Sequence, residues 1–283
     1  MAPTPRHLLV GAAACAVAFL VLLGLAYGSD WARWVDAVSL QGFLHLQGPT
    51  TSPWAERFTR LGDPTPVAIV ACGLALVAVL RGRPRSALLV IVLVALTSVS
   101  SQVLKALLAY PRHDSAAGTT FIAPEAFPSG HATASMTLAI ALVIVLPPML
   151  RPAAALVGTA VAVGVSFSIV ALGWHFPSDV VGGYLLATGW ALVLLAALRE
   201  SQARFPEREL RTRLAGRLRT LTDGAAAVGL AAALLVLALM ATKLLGLTDF
   251  VLEHTAFTAV AGAVSLTALT LLAAFTGALS RRS

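Results

Sequence analysis

Phe127-Pro128-Ser129-Gly130-His131 stands at the mouth of an apolar run, Ala132–Leu146, and the rest of the chain is read outward from it. Ser129 is a natural N-cap, and Pro128 before it disfavours an earlier helical turn. The pattern predicts a helix that opens at Ser129-Gly130-His131 and continues into the apolar run. The first backbone N–H groups of such a helix have no partner within it, and its dipole makes that end weakly positive. An end of this kind attracts phosphate. Gly130 has no side chain to block the approach, and His131 can give or take a proton near neutral pH.

The 283 residues are 58% hydrophobic and 12% charged, with a net charge of +7. Mean hydropathy is +0.85. A soluble domain carries about 25% charged residues, so this composition predicts a polytopic, all-α membrane helix bundle. The positive charge lies in short loops between apolar runs. That is the pattern of membrane topology, and no nucleic-acid partner is implied. Cys15 and Cys72 both fall inside apolar runs and read as small packing residues, with no disulfide framework or metal site.

Spanning a bilayer takes about 20 apolar residues as a helix. Eight runs qualify as candidates: Leu8–Tyr27, Pro66–Leu80, Ser86–Leu104, Ala132–Leu146, Ala153–Leu172, Val180–Leu198, Ala225–Leu244 and Thr255–Leu279. The second and fourth are short and need their flanks. The first follows Arg6 as a signal peptide would, but it is long for one and has no convincing cleavage site, so it counts as a span. With the N-terminus inside, the inner loops hold Arg6, Arg81, Arg83, Arg85, Arg151, the arginines of Arg199–Arg219, Arg281 and Arg282. The outer side holds Arg33, Arg57, Arg60, Lys105, Arg112 and Lys243. This asymmetry predicts N-in, C-in topology, and it puts Lys105–Pro128 and the turn around His175 on one outer face.

Three parts follow: a membrane core, 1–198, that includes an outer loop at 28–64; an Arg-rich linker, 199–222; and a two-span extension, 223–283. In the outer loop, Trp31, Trp34, Val35, Val38 and Leu46 recur roughly at helical spacing, with Asp30, Arg33 and Asp36 between them. Either an interfacial helix or a plain connection fits. The linker reads as a solvated helix that fixes topology, or as a site for anionic headgroups. The extension carries no recognisable chemistry.

Beside Pro128–His131, two more segments bear reactive groups. Lys105-Ala-Leu-Leu-Ala-Tyr-Pro-Arg112 follows the third run, and His175-Phe-Pro-Ser-Asp179 lies between the fifth and sixth. Pro177 and Ser178 resemble a helix start, which places Asp179 in the first turn. The carboxylate can then accept a proton from one His175 nitrogen and leave the other free as a nucleophile.

Together these segments resemble the type 2 phosphatidic acid phosphatase (PAP2) family, which includes vanadium haloperoxidases. The family pattern is Lys-x6-Arg-Pro, then Pro-Ser-Gly-His, then Ser-Arg-x5-His-x3-Asp. Lys105 and Arg112 keep the first spacing, Pro128–His131 match the second motif, and Ser168, His175 and Asp179 fit the third. The resemblance covers roughly Pro66–Leu198 and implies a six-span core with the first span added. It also implies Lys105, Arg112, Ser129 and Gly130 as phosphate-binding residues, and His175, His131 and Asp179 as catalytic ones. His175 would form a phosphohistidine and His131 would protonate the leaving oxygen and then activate water. No cofactor or metal is implied. The implied substrate is a phosphorylated lipid, either a lipid phosphate or a polyprenyl (di)phosphate, at the outer leaflet.

Two positions depart from the pattern. His113 replaces the proline after the first arginine, and Ile169 replaces the second arginine. Losing one charge-assisted contact to phosphate costs roughly 1.5–3 kcal/mol, or about 10- to 150-fold. Two functions therefore stay open: hydrolysis, or binding of a phosphorylated lipid without turnover. An arginine restored at Ile169 is expected to raise activity. His7, His45 and His254 lie outside the motifs and read as interfacial.

Overall fold

In the computed structural model, the described residues are 4–49, 51–112, 120–205, 216, 220–231, 233 and 255–280. Among them, nine longer helices follow one another: α1 (Pro5–Gly28), α2 (Asp30–Leu44), α3 (Thr51–Thr59), α4 (Pro64–Leu80), α5 (Pro84–Leu107), α6 (Gly130–Val145), α7 (Arg151–Ala171), α8 (Pro177–Arg204) and α9 (Thr255–Ser280). Residues 220–231 are also helical. Helices α1, α5, α7, α8 and α9 are long and apolar enough to cross a membrane, and so is α6 together with the residues before it, Pro124–Val145. The short second run gains length from its flank: Thr51–Gly62 and Pro64–Leu80 together pass the same test but are bent by 53°. Asp63 and Pro64 form that corner. The predicted Ala225–Leu244 span lies largely outside the described residues.

Helix α6 is the centre. It carries buried residues on every side, from Ala132 and Thr133 to Ile144 and Val145, as a helix enclosed by others must. It packs on α4, α5, α7 and α8. Its hydroxyls turn back on its own backbone, Thr133 Oγ1 to Ser129 O at 2.7 Å and Thr137 Oγ1 to Thr133 O at 2.7 Å, so they cost little inside apolar surroundings. Helix α1 lies along α8 and turns Val10, Val17, Leu20 and Val21 outward, as a lipid-facing helix does.

Most of the segment between α1 and α4 is helical, in α2 and α3. Trp31 and Trp34 point out, while Asp36, Ala37, Ser39, Leu40 and Phe43 turn in. Helix α9 seats on α2, α7 and α8, with the Phe257 and Phe43 rings 4.6 Å apart. Helix α8 runs past Leu198 to Arg204, so the start of the proposed linker continues a core helix.

The two ends of the bundle differ in chemistry. At one end, Arg83 donates to the carbonyls of Ile144 and Val145 at the C-terminus of α6. There too Arg151 donates to Leu279 O and Arg199 to Ala278 O at the end of α9. Cations there satisfy helix-terminal carbonyls and complement the dipole. The N-terminus of α6 lies at the opposite end.

Candidate active site

Ser129 caps α6 as its residue type dictates. Its Oγ accepts from Ala132 N at 3.3 Å, and its carbonyl accepts from Thr133 N at 3.0 Å. Its own N–H donates to the Asp179 carbonyl at 2.9 Å and so ties α6 to the first turn of α8. The donors left without a partner among the described residues at this helix end are the N–H groups of Gly130 and His131. The close approach depends on Gly183 of α8, where a Cβ would stand 2.8 Å from Ser129 O and 2.9 Å from Thr133 N.

Pro177 starts α8 and Asp179 occupies its first turn. The Asp179 carboxylate is fully buried and saturated. Its Oδ2 accepts from Phe176 N at 2.9 Å and meets His175 Nδ1 at 3.3 Å. Its Oδ1 takes the Arg112 guanidinium. His175 is therefore held through Nδ1, which leaves Nε2 as its reactive atom.

Arg112 is enclosed. Its Nη1 donates to Ser178 Oγ at 3.0 Å, and it stacks over the Phe176 and Tyr27 rings at 4.7 and 5.1 Å. A second carboxylate, Asp36 of α2, lies 3.6 Å from Nη1. Asp36 also accepts from Ser178 N at 3.0 Å and from Ser178 Oγ at 2.5 Å. Burial pushes Asp36 up to about 6, although its bonds to Ser178 and the Arg112 charge pull the other way. Burial works against the charge on Arg112, but Asp179 and Asp36 outweigh it and hold the guanidinium above its usual value.

Lys105, one helical turn after Ser101 on α5, comes to the N-terminus of α6. A Cβ on Gly130 would stand 3.8 Å from both Lys105 Nζ and Ser101 Oγ. Ser101 is buried, and its hydroxyl has no hydrogen-bond partner among the described residues. His131 sits within electrostatic range of both Lys105 and His175. Its Nε2 meets Asp63 Oδ1 at 3.2 Å, and its ring centroid lies 5.9 Å from that of Trp174.

The fold thus brings Lys105, Arg112, Ser129, Gly130, His131, His175 and Asp179 together from three segments. Ser168 is not among them: its hydroxyl bonds back to Gly164 O at 2.8 Å. Ile169 has no exposed surface and belongs to the main apolar core. Among the described residues, no three His, Cys, Asp or Glu side chains group as metal ligands would. Asp36, Asp63 and Ser101 escaped the sequence reading. Ser101 alone left a legible trace, since it precedes Lys105 by one helical turn.

What this geometry defines is a polytopic, all-α membrane protein with a carboxylate-oriented histidine beside a cation-flanked helix N-terminus. The model of the PAP2 superfamily matches residues 86–203. Among solved structures it is similar to a transmembrane PAP2 type phosphatidylglycerolphosphate phosphatase from Bacillus subtilis, at 23% identity and a TM-score of 0.50. That likeness covers 69% of this chain and 98% of the other, and it shows a shared fold. No curated protein matches the chain significantly.

Proposed function

We propose that the protein is a metal-independent membrane phosphatase that hydrolyses a lipid phosphate or a polyprenyl (di)phosphate through a phosphohistidine. The observation that carries this reading is the His175–Asp179 pair set against the N-terminus of α6, with Lys105 beside it. Asp179 fixes Nδ1 of His175, so Nε2 faces phosphorus with its lone pair free. Lys105, the Ser101 hydroxyl and the free N–H groups of Gly130 and His131 hold the phosphoryl oxygens, and their charge and dipoles stabilise the transition state. Arg112 contributes charge from behind while it anchors Asp179. His131 protonates the leaving alcohol and then activates water. The protein sits N-in, C-in with the site on the outer face, by the distribution of its arginines.

A second reading, binding of a phosphorylated lipid without turnover, draws on two observations. Ile169 lies buried where the family carries arginine, and Arg112 spends its donors on Ser178 and Asp179.

The deciding experiment is phosphate release by detergent-purified protein in EDTA. The panel contains phosphatidylglycerolphosphate, phosphatidic acid and polyprenyl phosphates and diphosphates. Release by the wild type that His175→Ala abolishes supports hydrolysis. Saturable binding with no release from any substrate supports the second reading.

A further inference from the structure

The geometry points to Asp63 as a positioning residue for His131, so that the site works with two aspartate–histidine pairs. This inference rests on the phosphatase reading. Asp63 lies outside the matched segment 86–203, at the corner that starts α4.

Two features tie this corner to His131. Asp63 Oδ1 lies 3.2 Å from His131 Nε2. Gly62 packs directly on the same residue: a Cβ there would stand 2.8 Å from His131 Cδ2 and 3.2 Å from its Cα. Any side chain at Gly62 would push the corner off the imidazole. Trp174 then leans on the ring from the turn before α8. Asp63 makes no side-chain cap bond to its own helix, so its carboxylate is not needed to start α4.

The two pairs engage opposite nitrogens. Asp179 holds Nδ1 of His175, and Asp63 holds Nε2 of His131. The proton on its way to the leaving group therefore travels on His131 Nδ1. In the first step, His175 Nε2 bonds to phosphorus, the bond from phosphorus to the alcohol oxygen breaks with its electron pair on oxygen, and that oxygen takes the Nδ1 proton. In the second, water attacks phosphorus and gives a proton to Nδ1, and the P–N bond breaks with its pair returning to His175. Asp63 keeps the imidazole aimed and balances the charge it carries before the first step and after the second. The other charged or titratable groups that face His131 are Lys105 of α5 and His175.

The test is Asp63→Asn, which keeps a hydrogen-bonding group and removes the charge. Single-turnover release of alcohol from phosphatidic acid is compared with the first-turnover burst of p-nitrophenolate from p-nitrophenyl phosphate. An alkoxide needs a proton from His131 and p-nitrophenolate does not. The expected result is at least a 10-fold loss of rate on the lipid and less than 3-fold on the aryl ester. Asp63→Glu is expected to recover part of the lipid rate. Equal losses on both substrates, or none on either, would overturn the inference. A wild type that cleaves neither substrate would instead bring down the phosphatase reading, and this inference with it.

Discussion

The Ser129 backbone N–H donates to the Asp179 carbonyl at 2.9 Å, across an interface where Gly183 presents no side chain. This one bond joins the cap of α6 to the first turn of α8, and with it the proposed phosphate end to the proposed nucleophile end of the site. A methyl group at Gly183 would meet backbone atoms at 2.8 and 2.9 Å, which cannot yield as a flexible side chain would. Gly183→Ala is expected to lose about 1–3 kcal/mol of stability and most phosphate release together. Thermal unfolding in detergent, read beside activity, checks this; an unchanged melting temperature would contradict it.

Ile169 tests whether the missing arginine can be restored. The sequence alone suggested a gain, but the side chain is enclosed in the apolar core. A guanidinium there must be buried without a prepared partner, which is strongly destabilising. Ile169→Arg is therefore expected to lower the melting temperature and yield no gain in kcat/KM. Higher activity with unchanged stability would show that this position reaches the phosphate after all.

Arg112 is a fork that holds Ser178 and Asp179 at once. Lysine offers a point charge and cannot keep both contacts with the same geometry. Arg112→Lys is expected to cost roughly 1.5–3 kcal/mol of transition-state stabilisation, or about 10- to 150-fold in kcat/KM. Full activity in this variant would mean that the fork is dispensable.

Asp36 makes stability depend on pH. Burial raises its pKa to about 6 from 3.8, so the folded protein holds this proton more tightly than the unfolded chain. Its contribution is complete below about pH 4 and is lost as pH rises through about 6, by up to about 3 kcal/mol. Melting temperatures of the wild type and Asp36→Asn between pH 4 and 7 measure this. The difference between them should shift in favour of the variant as pH rises; parallel profiles would contradict it.

The helices and the motif pairings were legible because their signals are local. Apolar runs mark the spans, and His175 and Asp179 face each other because one turn of chain separates them. Asp36 was not legible. Its helix turns tryptophans outward and a carboxylate inward, the reverse of what a water-soluble amphipathic helix does. Asp63 was hidden for another reason: its partner His131 stands 68 residues further along the chain, and a proline-flanked aspartate reads as an ordinary corner. The enclosure of Arg112 was hidden too, because spacing shows that a cation is present and nothing of what surrounds it.

The central claim is that His175 takes the phosphoryl group while His131 serves it. Acid-quench-free trapping of radiolabelled enzyme, denatured in alkali where phosphohistidine survives, tests this most directly. Expected are label on wild-type protein during turnover, none on His175→Ala, and, with a radiolabelled aryl phosphate whose leaving group needs no proton, retained label on His131→Ala, where hydrolysis of the intermediate stalls. Label that persists in His175→Ala, or none on any form while phosphate is released, would contradict it.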